Sequence, residues 1–518
     1  MVLLSCVLLL VGVLGCRSDP HQKANQLFVD AVQLIESAES KSDEEALRDY
    51  EDALINVQRI IDDYRESDLA VKLISNETLF TGSSLADIET RVADLKKRIK
   101  TTASQAADVK LVDDSAGQQA SPKVRLADDA RSIEQLDEWG VIYKRDDRES
   151  VIEVDFRTSF AEVDFAVLKG LPYVQTVLAT GTAINDDDLS QLTDSEHLKT
   201  LDLSETGITG EGLRHLEGHS SLENLYLFEA NIDDQVMPLI AALPRLKRLK
   251  IIRTRVTDIG LEQLADKTSL QMLDLKELTG VSDAGLAHLA GLDRLRYLVV
   301  WGRGVTDEGM RSLSGMTELR LLGLDDTAVG DAGLAHLSKL THLSDIRLYQ
   351  TSVTDEGLAV FAGMPELAKL KLRGTIIRGP GLEHLSGLSS LTHLDLSETL
   401  VDDGGLAHLA QLPALLDLNL WATHVGDAGL AQLTALPRLQ RLNLYENNAV
   451  TDAGLEQVSK ISTLRYLHVG ATDITDDGLE HVAALKQLES LNVSFCPQVT
   501  SAGREKLQAT IPDLLIEQ

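Results

Sequence analysis

Few residues of this chain have types and spacing that could do chemistry, and the most regular of them are histidines. Six histidines occupy the same Leu-x-His slot of a repeating segment: His215, His288, His336, His384, His408 and His481. A column of imidazoles could form a zinc site, because the imidazole nitrogen is a common zinc ligand. Each of these histidines, however, lies on a different predicted helix, and neighbouring slots often hold Gln. We therefore interpret them as ordinary helix residues and predict no metal site.

Acidic turns and one cysteine are the other candidates. The turns Asp186-Asp187-Asp188 and Asp233-Asp234 carry the carboxylates that calcium prefers, but they fall at predicted helix starts, where capping accounts for them. Cys496 has no surrounding pattern that marks a nucleophile, so we expect buried packing. The sequence contains no Gly-rich phosphate loop, no GxSxG, no HExxH and no paired CxxC. We predict a protein that is not an enzyme and needs no cofactor.

These residues are carried by a 24-residue unit, which residues 343–366 show most clearly. Its first part, LSDIRLY, has apolar residues at period two, which predicts a short strand. Its second part, from Leu358 to Met364, has apolar residues every three or four positions, which predicts a helix. Thr354-Asp355 between them is a helix start signal, because hydroxyl and carboxylate oxygens accept amide hydrogens. One strand and one helix cannot bury both faces alone, so the units must stack and share a core.

The unit resembles a leucine-rich repeat, and its Thr-Asp-x-Gly-Leu motif is similar to the subclass found in F-box partner proteins and many bacterial repeat proteins. The last unit places Cys496 where the cysteine-containing subclass has its cysteine, whereas most other units place Thr there. The resemblance covers about residues 174–513. It implies an α/β solenoid, a horseshoe with parallel strands on the concave face and helices on the convex face. Fourteen units begin near Val174, Leu198, Leu222, Leu246, Leu270, Leu295, Leu319, Leu343, Leu367, Leu391, Leu415, Leu439, Leu464 and Leu488.

The chain before the array divides into further segments. Residues 17–100 have apolar stripes at helical spacing, which predicts either a tetratricopeptide-like hairpin or a helical stalk. Residues 101–127 are rich in Ala, Ser, Thr, Gln and Asp, which predicts a flexible linker. Residues 128–173 are expected to form an N-terminal cap and a degenerate first repeat, because an end repeat lacks a neighbour on one face. The array then occupies residues 174–518, and residues 513–518 can add a final strand.

The first sixteen residues, MVLLSCVLLLVGVLGC, are apolar but too short to span a bilayer, which is typical of a signal peptide. Val13-Leu14-Gly15-Cys16 resembles a bacterial lipobox, a motif whose cysteine becomes the lipidated first residue of the mature protein. No Lys or Arg precedes the apolar run, which departs from that family's pattern. We expect Cys16 to be lipidated and the chain to lie at the outer membrane or face the periplasm; plain secretion is the alternative.

The net charge of the chain limits the classes of partner that it is expected to bind. The formal net charge is −32 and the isoelectric point is about 4.7. Such a chain is not expected to bind nucleic acid or anionic membrane surfaces in general. The membrane is expected to hold it only through the lipid, and we expect a monomer.

The side chains at the third, fifth and seventh positions of each unit are expected to line the concave face, because a strand alternates its side chains. Eight aromatic residues fall in these slots: Tyr226, Phe228, Tyr297, Trp301, Tyr349, Trp421, Tyr445 and Tyr466. The same slots hold eight cations against six acids, a net +2: Arg248, Lys250, Lys276, Arg347, Lys369, Lys371, Arg373 and Arg441. Strand propensity alone favours aromatics, but exposed aromatics beside arginine are typical of binding hot spots.

We therefore predict a non-enzymatic module at the cell envelope that binds a protein partner, including one with an acidic patch, on its concave face. One alternative is a glycan or peptidoglycan binder, because Trp and Tyr stack on sugar rings. A second alternative, implied by the resemblance to F-box repeat proteins, is a substrate receptor of the ubiquitin pathway. No recognisable F-box-like segment precedes the array, and the lipobox-like leader favours another compartment.

Overall fold

The computed structural model describes residues 126–159 and 163–517, together with six isolated helical residues, Ala31, Ile35, Ala46, Ala53, Val57 and Arg91. The predicted leader with Cys16, the linker up to residue 125 and most of the helical segment lie outside the described residues. The chain divides into two compact units, Met1–Lys123 and Val124–Gln518, and the second contains the repeat array. None of the helices among the described residues is long and apolar enough to cross a membrane.

The repeat array is built on one sheet of 17 strands. The first two strands pair antiparallel and form the predicted hairpin, whereas each later strand lies parallel to the one before it. The strands are β1 (Ile142–Arg145), β2 (Val151–Asp155), β3 (Thr176–Leu178), β4 (Thr200–Asp202), β5 (Asn224–Tyr226), β6 (Arg248–Lys250), β7 (Met272–Asp274), β8 (Tyr297–Val299), β9 (Leu321–Gly323), β10 (Asp345–Arg347), β11 (Lys369–Lys371), β12 (His393–Asp395), β13 (Asp417–Asn419), β14 (Arg441–Asn443), β15 (Tyr466–His468), β16 (Ser490–Asn492) and β17 (Leu515–Glu517).

Strands β3–β16 occupy the third to fifth positions of the fourteen units. The central residues of neighbouring strands are in register, so that Ile346 of β10 pairs with Leu322 and Leu370. Leu343, Ile346 and Leu348 are fully buried, as the period-two pattern predicts. The equivalent residues of all units join one continuous apolar core. The predicted α/β solenoid with parallel strands is confirmed.

Short helices connect the strands. The α-helices are α1 (Ala130–Glu138), α2 (Gly210–Leu213), α3 (Met237–Ala241), α4 (Asp258–Glu262), α5 (Asp283–Leu289), α6 (Asp307–Leu313), α7 (Asp331–Ala335), α8 (Asp403–Leu409), α9 (Asp427–Leu433), α10 (Asp452–Val458), α11 (Asp476–Val482) and α12 (Ser501–Thr510). The described residues also contain seven 3₁₀ segments, in six of the connections: Phe156–Thr158, Phe165–Gly170, Asp186–Leu192, Arg214–Leu216, Asp234–Val236, Asp355–Gly363 and Pro380–Leu385.

The segment Asp355–Gly363, for which the sequence pattern predicts a helix, is a 3₁₀ helix of nine residues. Other units of 24 residues, such as those that begin at Leu391 and Leu415, contain α-helices instead, so the length of the unit does not select the helix type. Leu358 and Phe361 are fully buried in the 3₁₀ helix.

The Thr-Asp pair at each helix start also joins neighbouring units. Thr354 caps its own helix, accepting a hydrogen bond from the amide of Glu356. The carboxylate of Asp331, one unit earlier, accepts hydrogen bonds from the Thr354 amide (2.8 Å) and the Thr354 hydroxyl (2.6 Å). Gly357 is required beside it, because a Cβ there would lie 2.4 Å from Asp331 Oδ1. We call this arrangement the Asp–Thr ladder.

The ladder recurs along the array. Complete rungs, each with an amide and a hydroxyl donor, join the pairs Asp186–Thr209, Asp234–Thr257, Asp258–Ser282, Asp283–Thr306, Asp331–Thr354, Asp427–Thr451, Asp452–Thr475 and Asp476–Thr500. At Gly330, Gly379 and Gly426 the cap position has no side chain, so the preceding aspartate receives backbone amides only. The acidic turns thus hold the stack together.

Candidate functional site

Four side chains in the seventh position of their units form a continuous row on the concave face. The guanidinium of Arg373 lies 5.1 Å from the ring centroid of Tyr349 and 4.5 Å from that of Trp421. The Trp421 and Tyr445 rings are 6.2 Å apart and tilted by 43°. Ser397, the small residue in the intervening unit, is fully buried, which leaves room for Arg373 and Trp421 to meet. We call Tyr349, Arg373, Trp421 and Tyr445 the aromatic row.

Two carboxylates fix the orientation of the row. Arg373 donates two hydrogen bonds to Glu398, at 2.9 and 3.2 Å, and Trp421 Nε1 donates to Glu446 Oε2 at 3.0 Å. These hydrogen bonds and the charge of Glu398 raise the pKa of Arg373. Sequence reasoning missed both glutamates, because they occupy the eighth position, just beyond the strand. The signal was available: Glu recurs in that slot at Glu205, Glu229, Glu277, Glu398 and Glu446.

The row continues into a small aromatic cluster at its C-terminal end. The Tyr445 ring lies 4.9 Å from the His468 ring and 6.5 Å from the Phe495 ring. Burial lowers the pKa of His468 to about 4, and its Nδ1 accepts a hydrogen bond from the Gly470 amide. Phe495 is 78% exposed and has a φ of 58°, a conformation that costs a side-chain-bearing residue about 1–2 kcal/mol. The same conformation recurs at the eighth position of other units, such as Glu398 and Glu446, so it is the exposure of the Phe495 ring that makes it a candidate contact residue.

The predicted residues of the N-terminal half are arranged differently. Trp301 Nε1 donates a hydrogen bond to Asp326 at 3.0 Å. Phe228 packs under Arg253, 5.4 Å from its guanidinium, and that arginine is paired with Glu229 and Glu277. The Tyr226 ring is nearly buried beneath Lys250, at 5.1 Å.

Two further tyrosines lie at third positions. The Tyr297 hydroxyl donates to Asp274 at 3.3 Å. The Tyr466 ring is nearly buried, 4.3 Å from the guanidinium of Arg441. Both tyrosines therefore contact charged side chains of a neighbouring unit.

Most arginines of the concave slots are neutralised within the chain. Arg347 lies 3.4 Å from Asp345 with only 14% of its side chain exposed, and nearby carboxylates raise its pKa despite burial. Arg441 donates to Asp417 at 3.2 Å. Lys369 and Lys371 lie beside Asp345 and Arg347 in the sheet register. A partner on the aromatic row would therefore meet ring faces and paired charges rather than a strong positive field.

Metal chemistry has no structural support in the part of the chain that the structure describes. There, no group of three His, Cys, Asp or Glu side chains is arranged to hold a metal ion. Cys496 is buried, and its thiol donates to the carbonyl oxygen of Val469 at 3.1 Å.

Comparisons with known proteins agree with this architecture. A leucine-rich repeat protein of Leptospira interrogans matches with a TM-score of 0.50 and 18% identity, over 68% of this chain and 92% of that protein. An internalin of Listeria monocytogenes matches with a TM-score of 0.49 and 24% identity, over 59% of this chain and 88% of that protein. A comparison with curated proteins finds no match.

Family models give the assignment directly. The model described as a leucine-rich repeat region matches residues 163–451, which is more than half of the chain. A second model, described as a leucine rich repeat, matches residues 460–483. The chain therefore belongs to the leucine-rich repeat family.

Proposed function

We propose that the protein is a non-enzymatic module that holds a protein partner on its concave face, centred on the aromatic row. Repeat arrays of this kind commonly use an extended concave surface for protein–protein interaction. The observation that carries the proposal is the Arg373 guanidinium lying against the rings of both Tyr349 and Trp421. Exposed arginine and aromatic side chains supply most of the binding energy in protein interfaces.

The hydrogen bonds to Glu398 and Glu446 favour binding because they fix the row before a partner arrives. Ordering a flexible side chain at an interface costs about 0.5–1.5 kcal/mol. Arg373 and Trp421 are already held in one orientation by these glutamates. A partner would therefore meet a preorganised surface and lose less of its binding energy to ordering.

The test is affinity capture from a cell-envelope extract with the wild-type protein and with the double variant Trp421→Ala/Tyr445→Ala. Ile259→Ala is the control, because Ile259 is a large side chain that is 67% exposed on α4, away from the row. We expect the wild type and the control to enrich the same protein and the double variant to lose it. In a binding isotherm, truncating one hot-spot ring costs about 2 kcal/mol, roughly 30-fold in affinity. Equal capture by a normally folded double variant would place the binding site elsewhere.

The proposed location is the cell envelope, where a lipid on Cys16 would anchor the protein to the membrane. Its support is the sequence Val13-Leu14-Gly15-Cys16 after an apolar run. A fatty-acid analogue should label the wild type and the control Cys6→Ser but should not label Cys16→Ser. Label that persists in Cys16→Ser would contradict the anchor, and an unlabelled, secreted wild type would favour a plain signal peptide.

Glycan binding is the second candidate, and an arrangement of amides favours it. The side-chain oxygens of Asn419 and Asn443 accept the backbone amides of Trp421 and Tyr445. Their Nδ2 groups have no hydrogen-bond partner among the described residues, so amide donors stand beside two aromatic rings. A sugar can use both groups at once: its C–H face stacks on an aromatic ring, and its hydroxyl oxygens accept hydrogen bonds from the amides. A glycan array that binds the wild type but not Trp421→Ala/Tyr445→Ala, without any captured protein, would select this function.

The ubiquitin-pathway alternative has a narrower basis, the Thr-Asp-x-Gly-Leu motif. In this chain the Thr, Asp and Gly of that motif form the Asp–Thr ladder. The motif therefore supports the stacking of units and carries no information about a pathway.

A further inference from the structure

A basic cluster lies on the edge of the array where the chain enters the strands. The whole chain has a net charge of −32, yet residues 244–320 contain thirteen Lys and Arg against ten Asp and Glu, a net +3. Three of those acids, Asp258, Asp283 and Asp307, belong to the Asp–Thr ladder at the opposite ends of the strands. Around the strand starts themselves, residues 244–248, 268–272, 293–297 and 317–321 contain six Lys and Arg against two Asp and Glu.

The backbone places the basic residues of successive units in one row. The amide of Gln271 donates to the carbonyl of Lys247 at 2.7 Å, that of Arg296 to Gln271 at 2.8 Å, and that of Arg320 to Arg296 at 2.9 Å. Neighbouring strands are about 4.8 Å apart, so Lys247 and Arg320 span about 14 Å.

Further arginines flank this row. Arg245 and Arg294 each precede the buried leucine that starts a unit, Leu246 and Leu295, and Arg248 follows Lys247 at the start of β6. They therefore add charge on the same edge of the same units. We call Arg245, Arg248, Arg294 and Arg296 the arginine patch.

The arginine patch groups four unpaired side chains on neighbouring units. All four side chains are exposed, and none forms an ion pair within residues 126–159 and 163–517. By contrast, Arg253, Arg347, Arg373 and Arg441 are each bonded to a carboxylate of the chain. Unpaired guanidinium groups keep their full capacity for bidentate bonds to an external oxyanion.

We propose that the arginine patch is a second docking surface, which binds a carboxylate-rich segment of a protein partner. The patch lies in the units between Leu222 and Leu319, outside the aromatic row, and the proposal does not depend on the function of that row. A carboxylate is attracted by the positive charge of the guanidinium, and its two oxygens match the planar fork of N–H donors.

Local charges favour a protein segment over a uniformly charged polymer. Asp293 and Glu318 are exposed and each lies within two residues of a basic side chain, Arg294 or Arg320. Such interspersed acids repel a polyanion that carries a charge on every unit. A protein segment can place its carboxylates on the arginines and its neutral or basic residues on the acids, which gives specificity through electrostatic complementarity.

The overall negative charge does not prevent this interaction. At physiological ionic strength the Debye length is about 8 Å, so charges farther away are largely screened. The patch, at about 10 Å along the strand stack, is larger than that length. An acidic segment bound to the patch therefore responds to the local arginines more than to the remainder of the chain.

The experiment uses the full mature protein and, as the probe, a fluorescein-labelled peptide of repeated Glu-Ser-Glu-Lys units, in which glutamates alternate with neutral and basic residues. The test variant is Arg245→Gln/Arg294→Gln/Arg296→Gln. The matched control, Arg148→Gln/Arg378→Gln/Arg438→Gln, removes three charges from other exposed arginines that also form no ion pair among the described residues. Arg438 even occupies the same slot as Arg245 and Arg294, in a distant unit.

We expect the wild type and the control to bind the probe within about twofold of each other, and the test variant to bind at least about tenfold more weakly. Thermal melts should coincide, because every substituted side chain is exposed. Absence of wild-type binding, or equal weakening in the control, would overturn the proposal. Binding of inorganic polyphosphate but not of the peptide, lost in the test variant, would also overturn it and assign the patch to phosphate polymers.

Discussion

Gly330→Thr is expected to stabilise the array by completing a rung of the Asp–Thr ladder. Gly330 has φ −125° and ψ −159°, close to the −116° and −174° of Thr354 in a complete rung. A Cβ at Gly330 would meet only ordinary contacts, 3.6 Å from the Ser352 carbonyl oxygen and 3.8 Å from Asp307 Oδ2. Asp307 Oδ1 already accepts the Gly330 amide at 2.6 Å, and Oδ2 has no hydrogen bond among the described residues. A threonine hydroxyl would reach that oxygen.

The magnitude has two parts. Replacing glycine at a compatible backbone position lowers the entropy of the unfolded chain, which is worth about 0.4–1 kcal/mol. A new hydroxyl–carboxylate hydrogen bond at a partly exposed site adds about 1 kcal/mol. We therefore expect Gly330→Thr to raise the free energy of unfolding by about 1–2 kcal/mol, and Gly330→Ala to raise it by the smaller, entropic part only.

Urea unfolding measures the stability, and hydrogen exchange in the units that begin at Leu295 and Leu319 locates the change. Gly426→Thr is the comparison site, because a Cβ there lies 3.2 Å from the Ala449 carbonyl oxygen and 3.3 Å from its Cβ. This crowding should remove much of the gain. If Gly330→Thr is no more stable than Gly330→Ala, the hydroxyl rung contributes nothing and our interpretation of the ladder is wrong.

Two other perturbations test the core and one buried histidine. Leu348→Asp would bury an unpaired carboxylate in the shared core, so adjacent units should unfold together; a melting curve like that of the wild type would contradict the register. His468 has a pKa of about 4 in the folded chain and about 6.5 in the unfolded chain. The contribution of its neutral imidazole to the free energy of unfolding is therefore fully present above pH 6.5 and is lost as the pH falls towards 4. This loss should amount to about 3 kcal/mol. In His468→Asn the new side chain can accept the amide two positions on, as Asn419 and Asn443 do. The free energy of unfolding of this variant should depend less on pH between 6.5 and 4. If the wild type and the variant differ in this free energy by the same amount at every pH, His468 is not the source of the pH dependence.

The periodic parts of the fold were predictable from the sequence because burial alone determines them. Ile346 and Leu348 alternate with polar residues, which is sufficient to place a strand and its buried face. The 3₁₀ helix at Asp355–Gly363 was not predictable, because apolar residues every three or four positions fit both helix types.

The site shows the same limit. Trp421 and Arg373 could be assigned to one face from strand alternation, but their partners could not. Glu398 and Glu446 lie one residue past the alternating positions, and their positive φ values, 54° and 61°, decide where their side chains lie. The second role of Asp331 was equally hidden, because the hydroxyl that it accepts belongs to a residue 23 positions later. Pairings between units depend on geometry that a pattern within one unit does not contain.

The incomplete rungs at Gly330, Gly379 and Gly426 have a mechanical consequence. They belong to every second unit from Leu319 to Leu415, so neighbouring units here resist separation at their helix starts less than units joined by complete rungs do. Arg373, Glu398, Trp421 and Glu446 cross-link four successive units on the opposite surface of this compliant stretch. Tension would therefore open the array as a hinge about the aromatic row, and a partner seated on the row would stiffen that hinge and resist extension.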